Sequence, residues 1–232
     1  MRWTALVPAI ALLLFAAVGW GAEPAPLLLE SKIPLGEVGG RIDHFAVDPG
    51  RQRLFVAELG NDSVGVIDLK ERKLIRTIAG FKEPQGIEYV PSTDTLYVAN
   101  AGDGTVRLFQ GADLAPAGRI DLGDDADNIR FDAAANRLFI GYGGGALAII
   151  DPGTRAKIAD IALRAHPEAF QIDAAHGRIF ANVPDAGEIA VIDRAAGKQI
   201  ASLHWASKER LPVGPSPGTR NRIACRRSAA AG

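Results

Sequence analysis

Residues 124–163 read DDADNIRFDAAANRLFIGYGGGALAIIDPGTRAKIADIAL. This is one complete copy of a unit that recurs from Arg41 to Leu203. The first strands of the four copies read RIDHFAVD (41–48), PQGIEYVP (84–91), DADNIRFD (125–132) and HPEAFQID (166–173). Second strands follow at 53–58, 95–100, 137–142 and 178–183, third strands at 64–69, 106–111, 147–152 and 189–194, and fourth strands at 73–78, 115–120, 156–161 and 198–203. The aromatics Phe55, Tyr97, Phe139 and Phe180 fall about 42 residues apart, a period characteristic of repeat architectures.

The segments are short, rich in Val, Ile and Phe, and bounded by turn residues, which makes them strands. The Gly, Asn and Asp of 60–62, 102–104, 143–145 and 185–187 suit tight hairpins, and Asp-Pro-Gly recurs at 48–50 and 151–153. Four antiparallel strands per unit make the blade of a β-propeller. The expected fold is therefore all-β, with four blades at 41–80, 81–123, 124–163 and 164–203, plus partial ones, forming an incomplete ring.

The chain opens with MRWTALVPAIALLLFAAVGWGA. A single Arg, an apolar run and small residues beyond it read as a signal peptide over 1–22, and so predict a periplasmic or secreted protein. The run is shorter than a spanning helix and contains Pro8, so no stable membrane span is expected after cleavage. Net charge is −1, which implies no nucleic-acid partner. The single cysteine, Cys225, excludes an internal disulfide and a cysteine metal cluster.

Residues 23–40 read as a linker and an orphan outer strand, because Lys-Ile-Pro-Leu-Gly (32–36) matches the fourth strands. Residues 204–232 read as a degenerate partial blade or an aberrant tail, from either a fragment or a reading-frame change. An exposed sheet edge makes edge-mediated self-association an expectation.

One constellation suggests a site. In a propeller the first strand of each blade lines the axis, and the turn entering it lies at one mouth. Asp43, Asp127 and Glu168 align before that strand, with Gly86 in the second blade. Two residues earlier stand Arg41, Pro84, Asp125 and His166. His44 and Asn128 follow the acids, and Glu83 and Gln85 flank the second blade's version. These carboxylates, imidazoles and amides would meet at one mouth and hold a small polar ligand. The competing reading makes them turn and cap residues, since Asp and Asn favour turns. No cofactor is otherwise implied, though a divalent cation is the ion these oxygens would accept. Asp68, Asp151 and Asp193 read as turn acceptors and the four aromatics as inter-blade packing. GxSxG, HExxH, P-loop and CxxC motifs are absent.

RLFVAELGND, TLYVANAGDG and RLFIGYGGG, each followed by a VxVID-like strand, resemble the YVTN/YncE-like repeat family of exported bacterial β-propellers. The resemblance covers about residues 33–203. It implies a propeller of more blades, usually seven, and no single activity. The function expected is binding or scaffolding for an unknown protein or small polar ligand, without catalysis. The alternative is a metal-assisted, lactonase-like hydrolase using the mouth carboxylates.

Overall fold

The computed structural model describes residues 27–204. Residues 27–32 belong to a first compact unit, Met1–Lys32, and have no regular secondary structure, with Leu27, Leu28 and Leu29 exposed. The second unit, Ile33–Gly232, holds all the regular structure described below. The expected signal peptide and all of the expected tail except His204 lie outside the described residues. No helix among the described residues is long and apolar enough to cross a membrane.

Four antiparallel four-stranded sheets follow one another in chain order. The first contains β1 (Phe45–Asp48), β2 (Arg53–Glu58), β3 (Ser63–Asp68) and β4 (Lys73–Ala79). The second contains β5 (Pro84–Val90), β6 (Thr95–Asn100), β7 (Thr105–Gln110) and β8 (Ala115–Asp121). The third contains β9 (Ala126–Asp132), β10 (Arg137–Tyr142), β11 (Ala146–Asp151) and β12 (Ala156–Ala162). The fourth contains β13 (Ala169–Asp173), β14 (Arg178–Val183), β15 (Glu188–Asp193) and β16 (Lys198–His204). Each is a simple meander, and the first strands pack on one another in turn, β1 on β5, β5 on β9 and β9 on β13. These are propeller blades with their first strands innermost.

The core lies between the blades. Phe55, Val64, Val66 and Ile78 of the first blade pack with Ile87, Tyr89 and Leu96 of the second. Tyr97, Val106 and Leu108 meet Ile129, Leu138 and Ile150 of the third. Phe139, Leu147 and Ile161 meet Phe170, Ile179 and Ile192 of the fourth. At each of these three interfaces one side of a blade thus packs on the facing side of the next. Phe55, Tyr97 and Phe139 do serve as inter-blade packing; Phe180 is half-buried.

The second strands match expectation residue for residue, whereas the third strands begin one residue earlier and the fourth extend one further, through His204. The turns also differ in detail. The left-handed residue is the last of each turn: Gln52, Asp94, Asn136 and Gly177 before the second strands, Asp62, Gly104, Gly145 and Gly187 before the third, and Arg72, Leu114, Arg155 and Gly197 before the fourth. Backbone geometry is thus repeated where residue type is not. As expected, Asp68 Oδ1 accepts the Glu71 amide at 2.7 Å, and Asp151 Oδ1 accepts those of Gly153 and Thr154 at 2.9 and 3.0 Å. Asp193 Oδ1 does the same for Ala195 and Ala196. These backbone donors hold the Asp151 and Asp193 carboxyls below their usual range.

The orphan strand requires correction. Residues 33–44 contain no strand. A strand needs a partner ladder for its backbone groups, and residues 33–38 have none among the described residues. Asn61 accepts the Gly39 amide at Oδ1 and donates to Gly39 O, both at 3.1 Å, and the Gly60 amide donates to Arg41 O. The segment 35–38 accordingly borders Glu58, Ser63 and Leu74 of the first blade.

Candidate functional site

Register fixes which residues are equivalent. Phe45, Ile87, Ile129 and Phe170 face Val56, Val98, Ile140 and Ala181 of the adjacent second strands. Counting back, Asp43, Gln85, Asp127 and Glu168 occupy one position. Gln85, and not Gly86, therefore stands with the acids. Arg41, Glu83, Asp125 and His166 share the position two earlier, so Glu83 replaces Pro84 there. His44, Gly86, Asn128 and Ala169 share the position one later. The slip arises because the first strand of the second blade ends at Val90, opposite Thr95, as the others end at Asp48, Asp132 and Asp173, whereas Pro91 already belongs to the turn. β5 and β9 also carry a register shift near their starts, between Pro84 and Ile87 and opposite Ile140–Tyr142, and such bulges re-aim side chains.

The structure brings most of these residues into contact through two linked networks. In the first, Arg41 Nη2 donates to Asp43 Oδ2 at 2.8 Å and reaches Gln85 Oε1 at 3.4 Å. His44 Nδ1 lies 2.9 Å from Asp43 Oδ1, within ion-pair distance but not aligned as a hydrogen bond. Asn128 Nδ2 is 3.0 Å from His44 Nε2 and 3.2 Å from Glu168 O. Glu168 O can only accept, which fixes the amide with Nδ2 toward it and makes His44 Nε2 the acceptor. His44 is then the Nδ1–H tautomer, with its proton on the Asp43 side.

This contact joins the first blade to the third across the second. Gly86 permits it. A Cβ at Gly86 would overlap Asp127 O and come within 3.0 Å of Ile129 N. Glycine at this position lets β9 close on β5 and leaves the way from Asn128 to His44 clear.

The second network centres on His166. Its Nδ1 lies 2.7 Å from Gly143 O and 3.6 Å from Asp125 Oδ2, and its Nε2 lies 3.7 Å from Asp127 Oδ2. Acceptors face both ring nitrogens, so the imidazolium is favoured. The Asp127 carboxylate is the largest cause, the Gly143 carbonyl and Asp125 add to it, burial opposes it, and the pKa rises to about 9. At 3.7 Å the Asp127 contact is a charge interaction and not a hydrogen bond.

Three candidates have more local roles. Glu83 and Asp125 have φ of 50° and 32°, so at this shared position they serve as turn residues. The Glu83 amide donates to Asp62 Oδ1 at 2.8 Å and its carbonyl accepts from Ala101. Glu168 contributes its backbone, while its side chain is exposed. The turn-and-cap reading thus holds for these three and fails for Asp127 and Asn128. Both of these are buried, at 5 % and 0 % exposure, and Asp127 Oδ1 and Asn128 Oδ1 have no hydrogen-bond partner. Among the described residues no three His, Cys, Asp or Glu side chains are grouped to hold a metal ion.

Sequence reading missed two half-buried charged side chains nearby. Glu88 on β5 accepts the Phe131 amide at 3.3 Å, and burial pushes its carboxyl pKa up. Arg130 on β9, 6.0 Å over the Phe170 ring, is pushed down by burial and supported by the charges of Glu88 and Asp127. Charged residues at inward positions of otherwise apolar strands were the available signal.

No family profile and no curated protein sequence matches the chain. Solved structures do match. Hydrazine synthase of Kuenenia stuttgartiensis superposes with a TM-score of 0.64 at 20% identity, covering 78% of this chain and 54% of that one. A putative 6-phosphogluconolactonase from Bacteroides uniformis superposes with a TM-score of 0.59 at 16% identity, covering 68% and 52%. The chain spans about half the length of these structures, and at such identities the likeness is one of fold, that of the β-propeller.

Proposed function

We propose that the protein is an exported binding module of the YVTN/YncE-like kind, which takes a small polar ligand rich in hydrogen-bond donors at the inner-strand mouth and performs no chemistry on it. The observation that carries this reading is the pair of buried acceptors without donors, Asp127 Oδ1 and Asn128 Oδ1. Each costs about 1–3 kcal/mol when left unmet, so a ligand that donates to them recovers that cost. Asp43, Glu83, Asp125, Asp127 and Glu168 outnumber Arg41 and protonated His166, which favours an amine or other cationic donor. The metal-assisted hydrolase reading has no grouped ligand set among the described residues to support it.

The test is thermal shift with ammonium and putrescine against sodium chloride at matched ionic strength. Ligands that bind only the native state raise Tm. A rise in the wild type that is lost in Asp127→Ala, with the fold intact by circular dichroism, supports the site. No rise with either amine, or an equal rise in the variant, removes it. Export is checked separately by fractionation and the N-terminal sequence of the mature chain.

A further inference from the structure

The inter-blade interface occurs three times within the described residues, and its two halves are left over at the ends of the array. At the leading face, Phe45 is 68% exposed, whereas its equivalents Ile87, Ile129 and Phe170 are 2%, 0% and 2% exposed. Val47 is 45% exposed where Tyr89 is 8%. The segment 35–38 borders the outer part of this face, at Glu58, Ser63 and Leu74, and leaves Phe45 and Val47 open. At the trailing face, Phe180, Ile189 and Leu203 are only half-buried, and Gln171 is exposed. The residues equivalent to Phe180, namely Phe55, Tyr97 and Phe139, are 1%, 0% and 2% exposed, and Ala46, equivalent to Gln171, is 6% exposed.

The trailing face is built like the half that receives a following blade, and the leading face like the half that is received. They are complementary by construction. A face of this kind on a second copy is the surface that the sequence of each already fits. We infer that two copies of the chain join head to tail, Phe45 and Val47 of each seating against Phe180, Ile189 and Leu203 of the other. Two such contacts about a shared axis close a ring of eight blades, within the range that propellers adopt. The part of this chain that superposes makes up 54% and 52% of the two solved structures. Closure places a second set of Asp43, Gln85, Asp127 and Glu168 around the same mouth.

The experiment is light scattering coupled to size exclusion on the full chain. A two-chain mass that falls to one chain on dilution is expected. Phe45→Glu changes an exposed side chain, so the fold survives, and it shifts the species to one chain at concentrations where the wild type pairs. Leu203→Glu does the same from the other face. Ile189→Glu, at another half-buried position of that face, is the fallback where Leu203→Glu fails to fold, and a Glu at that place is buried by the partner. Mixing Phe45→Glu with a trailing-face variant restores one sound contact of the two, and with it part of the two-chain species. A wild type of one-chain mass at every concentration overturns the inference, because the end faces are then covered from within the chain. A trailing-face variant that pairs as the wild type does also overturns it, because the contact is then leading face to leading face. Neither result bears on ligand binding by Asp127 and Asn128.

Discussion

The two ends of the inner strands have opposite polar economies. At the end carrying the β1–β2 turn, Arg51 grips Asp94 through two bonds of 2.8 and 2.7 Å, Asp48 at 3.0 Å and the Tyr89 hydroxyl at 3.1 Å. Tyr89 in turn donates to Asp94 at 2.8 Å. Arg51 holds the Asp94 carboxyl below its usual range and is itself pushed up, with Asp94 the largest cause. Arg194 repeats the device, reaching Asp132 of the blade before at 2.8 Å. The strand starts, at the other end, carry the bulges, an imidazolium and two acceptors without donors. A closed network joins blades. An open one, kept by the same fold at a cost, is where a guest would complete the pairing.

Three changes would break or sharpen that contrast. The largest effect is expected at the open end, from Gly86→Ala, whose new methyl meets the Asp127 backbone. A loss of about 3 kcal/mol is expected, read by chemical denaturation, together with separation of Asn128 from His44. A stability equal to wild type would show that β5 and β9 can part freely. Next, Arg51→Ala removes charged hydrogen bonds from Asp48, which is 3% exposed, and from Asp94. About 1–2 kcal/mol should be lost, since Arg51 and Asp94 remain about one third exposed. Unlike a change at the mouth, this one should leave amine binding as it was. The smallest effect concerns pH. The folded pKa of His166 is raised to about 9 from 6.5, so its contribution to stability is complete below about 6.5 and is lost as pH rises through about 9. Tm measured across that window should fall in the wild type and fall less in His166→Gln. Parallel profiles would show that Asp127 and Asp125 do not hold the proton.

The fold was legible because alternation and turn residues are local properties. β2, β6, β10 and β14 were readable to the residue from RLFVAE, TLYVAN, RLFIGY and RIFANV, since each has an apolar centre flanked by turns. The candidate cluster was legible in kind but not in register. The repeat put Asp43, Asp127 and His166 at the starts of the inner strands, where they lie near one another, but set Gly86 where Gln85 stands, because the apolar run of the second blade stops at Val90 and Pro91 extends it by eye. Neither could the orphan acceptors be foreseen. That Asn128 spends both its N–H groups on His44 and Glu168 O depends on distances across three blades. The orphan strand differs for a related reason: its residue types are right for a strand, but strands are made by partners, and none pairs with it among the described residues.

Gly86 has one more effect. The repeat offers four equivalent seats around the mouth, held by His44, Asn128, Ala169 and this glycine, and here the seat is taken by the β9 main chain at Asp127 O. Rotational sameness is lost at that point, so a guest meets an imidazole on one side and a carbonyl on the next. A lopsided molecule would settle there in a single pose, while a symmetric one would gain nothing from its symmetry.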